Sequence, residues 1–109
     1  MHRISATAVR RLVLTFLIAG SALPARADGP ASPPDRASQC FSCHGADGNP
    51  SLSAVPIIAG QQPEYLQDTL NAYRSGLRGG GRAIVMQEIA KDLSDDDIAA
   101  LSAWFGDQK

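Results

Sequence analysis

Histidine, cysteine and methionine are scarce in this chain, two of each in 109 residues, and tryptophan occurs once. The scarcity sharpens once the N terminus is set aside. Arg3, Arg10 and Arg11 lead into an apolar run over residues 12–23, and Ala25-Arg26-Ala27 follows. Basic, then apolar, then small residues is the order of a secretory signal peptide. The apolar run falls short of the ~20 residues that span a bilayer, so an uncleaved anchor is the weaker reading. The Arg10-Arg11 pair is only a faint twin-arginine signal. Export through Sec to the periplasm is therefore expected, with cleavage after Ala27 and no stable membrane insertion afterwards. What remains has both cysteines but a single histidine, His44, and a single methionine, Met86.

Each shortage excludes something. A structural zinc site needs four ligands, and two cysteines with one histidine do not supply them. No G-x-x-x-x-G-K-[ST] loop is present, so the glycines and arginines at 76–82 do not make a phosphate cradle. Basic residues run short as well. Four arginines leave with the signal, and the remaining six basic residues face eleven acidic ones, a net charge of −5. Such a chain does not seek nucleic acid or anionic lipid, and it is steered toward basic docking patches.

Against these absences stands Cys40-Phe41-Ser42-Cys43-His44. Two cysteines three apart on a helical turn can add through sulfur to one edge of a porphyrin, while the next residue turns its imidazole to the iron. This is the C-x-x-C-H attachment pattern of haem c. A redox dithiol would follow a strand, and none is suggested before Cys40. A disulfide between the two cysteines would leave His44 unexplained. A covalent haem also answers a size problem. Domains this small bury only ~60–70% of their unfolded surface and are marginal alone, and a flat apolar macrocycle supplies the missing core.

The rest of the chain reads as wrapping. Residues 1–27 are the signal peptide, 28–33 an extended leader, and 34–109 one domain. Pro33 or Pro34 starts a first helix that runs to about Cys43. Gly45, Gly48 and Pro50 then break the chain, and the 45–60 loop carries Leu52, Val55, Ile57 and Ile58 to cover the haem edge. Pro63 opens a second helix with Tyr65, Leu66, Thr69, Leu70 and Tyr73 at three-and-four spacing, ended by Gly76. Core packing is the reading for both tyrosines, and propionate pairing or plain solvation for Arg78 and Arg82. Met86 is the candidate sixth ligand, since a thioether suits an electron-transfer haem. Lys91 or an open iron are its rivals. Ser94 with Asp97 forms a capping box, with Leu93 and Ile98 as the staple positions. Ile98, Leu101, Trp104 and Phe105 make the buried stripe of the last helix, and Ala99, Ala100 and Ala103 allow close approach by another helix. The fold class is all-α, three to four helices around the haem.

With these pieces in place the chain resembles the class I c-type cytochromes, in the single-haem bacterial form that is similar to one half of tandem dihaem cytochromes. The resemblance rests on the block from Cys40 to Asn49, on Pro56-Ile57-Ile58-Ala59-Gly60-Gln61, on Tyr65-Leu66, on Arg74-Ser75-Gly76-Leu77-Arg78, on Met86, and on Leu93-Ser94-Asp95-Asp96-Asp97-Ile98. It implies that the Pro56 carbonyl accepts a hydrogen bond from His44, and that first and last helices cross beside the haem. Two departures stand out. Pro33 and Pro34 shorten the first helix, and the glycines at 79–81 loosen the loop that delivers Met86. The expected function is a periplasmic mono-haem electron carrier. Its partners would be redox donors and acceptors, a flavoprotein or a terminal oxidase or reductase among them. The alternative is the haem subunit of a periplasmic dehydrogenase such as flavocytochrome sulfide dehydrogenase. No catalytic residue is expected in either case.

Overall fold

The computed structural model describes residues 19–24 and 32–109. The signal peptide assigned to 1–27 and the leader at 28–33 fall largely outside the described residues. Within them lie four α-helices and no strand: α1 (Ser38–His44), α2 (Pro63–Arg74), α3 (Ile84–Ala90) and α4 (Asp95–Asp107). No described helix is long and apolar enough to cross a membrane.

Local chemistry sets the helix ends. A 3₁₀ turn, Asp35–Ala37, follows Pro34 and feeds directly into α1, which includes His44 and stops at Gly45, φ +81°. Pro63 stands in the first turn of α2, where its missing N–H costs nothing, and Gly76 beyond the far end takes φ +77°. The capping box of α4 is present in full. The Asp97 amide donates to Ser94 Oγ and the Ser94 amide to Asp97 Oδ2, both at 3.0 Å.

Packing centres on α4, whose Ile98, Leu101 and Phe105 are buried together with Leu93 just before it. α2 lies against both α4 and α3. Arg74 fastens the far end of α2, donating to the Leu93 carbonyl at 2.9 Å and pairing with Asp95 at 2.6 Å. The ion pair of Asp95 with Arg74 adds a cross-link that periodicity does not reveal.

The 3₁₀ turn Asp35–Ala37 is the part of the first segment that packs on α4, and α1 adds an aromatic contact. Ala37 in the 3₁₀ turn is fully buried, and Phe41 stands edge-on to Phe105 at 6.3 Å and 79°. The close approach to α4 is not made where the alanines suggested. Ala99 and Ala103 are exposed. Gly106 takes that role, because a Cβ there would strike the Pro63 ring and the Gln61 carbonyl. Met86 is likewise carried on a helix, α3, rather than on a free loop. The glycine-rich segment precedes it and closes through a second 3₁₀ turn, Gly81–Ala83.

Candidate functional site

One mostly apolar cleft opens between α1, the 45–60 loop and the inner faces of α2, α3 and α4. Cys40, His44, Pro56 and Met86 all line it. The structure thus gathers four of the five residues singled out from sequence. Cys43 is the exception: it is exposed, and it lies outside the lining.

His44, at the last turn of α1, is buried at 7% exposure. Its Nδ1 donates to the Pro56 carbonyl at 2.9 Å. With the proton on Nδ1, the Nε2 lone pair is the one left for a metal, and the carbonyl both orients the ring and raises its donor strength. The acceptor is itself held in place. The amides of Ile58 and Ala59 both donate to the Gly48 carbonyl, at 3.0 and 3.1 Å, and the Gly60 amide donates to Phe105 at 2.9 Å. Gly48, at φ +82°, makes this possible, since a Cβ would press on the Ala59 amide and the Phe105 ring.

Burial, and after it the neighbouring Cys43, push the Cys40 thiol up to about 11. Such a thiol is protonated at neutral pH, the opposite of the thiolate a dithiol oxidoreductase needs. Among the described residues no group of three or more His, Cys, Asp or Glu side chains is placed to hold a metal ion. The cleft offers instead one imidazole and one thioether.

The greasy loop reaches the cleft in part. Ile57 and Ile58 line it, whereas Leu52 is 58% exposed elsewhere. Tyr65, Thr69 and Tyr73 of α2 add polar atoms among apolar walls. Arg78 joins them, its guanidinium 5.1 Å from the Tyr73 ring centroid and donating to Thr69 Oγ1 at 3.2 Å. The Arg78 guanidinium, and next the Thr69 hydroxyl, hold the Tyr65 phenol below its ordinary value. Arg82 does not line the cleft.

Two lining residues carried no assignment from sequence. Ile89 sits one turn beyond Met86 on α3, a spacing that could have flagged it. Ser102 gave no signal. It is 2% exposed, lines the cleft, and its hydroxyl has no hydrogen-bond partner among the described residues. An apolar cleft with a metal-ready imidazole, a thioether, a cysteine at its edge and a single guanidinium fits a haem, which is a flat apolar ring with an iron at its centre and two carboxylates on its rim.

Comparison with known proteins agrees with the geometry. A family model described as Cytochrome c matches residues 36–108. Cytochrome c-554(548) of Halomonas halodenitrificans is 40% identical over 75 residues, covering 69% of this chain and 90% of that one. The cytochrome subunit of sulfide dehydrogenase of Chlorobaculum tepidum is 37% identical over 67 residues, 62% of this chain and 57% of that one. Among solved structures, reduced recombinant cytochrome c4 from Pseudomonas stutzeri superposes with a TM-score of 0.60 at 32% identity, over 64% of this chain and 38% of that chain. This chain therefore spans nearly all of the first relative but under two thirds of the other two.

Proposed function

This chain belongs to the cytochrome c family, which carries haem c covalently, and from that premise we propose that it is a periplasmic single-haem carrier of single electrons. Cys40 and Cys43 would hold the haem through thioether bonds, and His44 and Met86 would ligate its iron. The observation that carries this reading is the His44 ring, buried in the cleft and held by the Pro56 carbonyl, with Met86 lining the same cleft. Bound there, the haem supplies a one-electron couple.

The remaining work belongs to the chain. The apolar walls keep water from the cleft. Pro56 fixes the tautomer and direction of His44, and α3 presents the Met86 thioether, a soft ligand that raises the potential. The Arg78 guanidinium, on the cleft lining, would pair with a carboxylate of the bound haem. Support for export comes from the basic, apolar and small-residue order of 1–27. N-terminal sequencing of the purified holoprotein should begin at Asp28.

The decisive test is Met86→Ala. Carbon monoxide should bind the reduced variant without denaturant, while the wild type stays closed; a wild type that binds it equally well would refute the thioether ligand.

A second reading, as the haem subunit of a dehydrogenase, is favoured by the 37% identity to a sulfide dehydrogenase subunit. Size-exclusion chromatography of native periplasmic extract separates the two. Haem eluting alone at the size of the mature domain marks a diffusible carrier. Stable elution with a larger flavin-bearing chain marks a subunit.

A further inference from the structure

The three consecutive glycines before α3 do not share one cause. Gly80 and Gly81 take φ +103° and +52°, which side chains rarely adopt. Gly79 has no such dihedral. Its constraint is a contact: the three atoms nearest to a Cβ on Gly79 all belong to the Gln87 side chain, whose amide end it would strike. That same amide donates to the Arg78 carbonyl at 2.7 Å. One hydrogen bond therefore closes a ring from 78 to 87 around the run of three glycines, and Met86 is the residue next to the closing point. Left open, three glycines would let the start of α3 swing, because glycine has the largest conformational freedom to lose.

We propose that Gln87, Gly79 and the Arg78 carbonyl form a latch that holds α3 and sets how firmly Met86 occupies its place, which makes Gln87 a positioning residue. The inference rests on Met86 being the sixth ligand. It concerns ligand exchange without redox change: an iron–sulfur bond breaks and a bond to the incoming ligand forms.

The test is imidazole titration of the ferric holoprotein in four variants. Gln87→Leu keeps the bulk and removes the donor. Gly79→Ala displaces only the far end of a flexible side chain, so it opens the latch without disturbing the core. Each should tighten imidazole binding about fivefold, the worth of one typical hydrogen bond. The double variant should gain no more than either single, since both remove the same contact. Amide exchange at 79–81 should quicken in both. Unchanged imidazole affinity in both singles, with tight binding in Met86→Ala, would overturn the latch while leaving the ligand in place. Wild-type binding as tight as in Met86→Ala would overturn the ligand assignment, and the latch with it.

Discussion

At the scale of single residues, the site was legible where chemistry restricts the alphabet and illegible where it does not. Cys40, Cys43 and His44 stand out together as one attachment motif, and Met86 as the one methionine beyond the signal, with Lys91 as its rival. Ser102 does not, because a small hydroxyl in an amphipathic helix has no pattern that sets it apart, and only burial without a partner exposes it. Gly48 lies between these cases. Its place in the sequence marks a chain break, and both its φ of +82° and the Ala59 amide and Phe105 ring against its absent Cβ make any side chain there strained. Gly48→Ala should destabilise the holoprotein by more than the ~1 kcal/mol at which compatible glycine replacements change stability. Guanidinium unfolding followed by haem absorbance measures it. A midpoint equal to that of the wild type would show that the 45–60 loop tolerates displacement.

At the scale of elements, helix ends were easier to read than helix faces. Pro63, Gly76 and the Ser94–Asp97 box act within a few residues of themselves, so sequence suffices. Which side of α4 touches a neighbour depends on the whole packing arrangement. Ala99 and Ala103 are exposed and only Ala100 is half-buried, while the close contact is made at Gly106. The box also gives α4 a pH response. The Ser94 backbone N–H, chiefly, holds the Asp97 carboxyl below the usual carboxylate value. A depressed folded-state value means that the stabilisation is present above the unfolded carboxylate pKa of ~3.9 and is lost as pH falls through the lower, folded one. Thermal melts of wild type and Asp97→Asn should therefore differ at neutral pH and converge in acid. Ser94→Ala should cost about 1 kcal/mol at neutral pH. Curves that stay parallel down to low pH would remove Asp97 from the account.

At the scale of the molecule, the fold class was visible from sequence because so little else would fit: few aromatics, no strand pattern, and one cofactor motif to gather the helices. The described core is correspondingly thin. Its larger buried apolar side chains are Leu66, Tyr73, Leu93, Ile98, Leu101 and Phe105, and several of them also line the cleft. Preventing haem attachment with Cys40→Ala and Cys43→Ala should consequently leave a chain with weak far-ultraviolet helical signal and no cooperative thermal transition. A cooperative melt in that variant would show that the polypeptide core suffices. The grip on His44 has a consequence of another kind. Its acceptor is the main-chain oxygen of Pro56, so replacing the residue at that position leaves the oxygen in the chain. A saturation mutagenesis survey would score position 56 by how it bends the loop and would pass over the bond itself. To weaken that bond by chemistry alone, the amide between 56 and 57 would have to be exchanged for an ester.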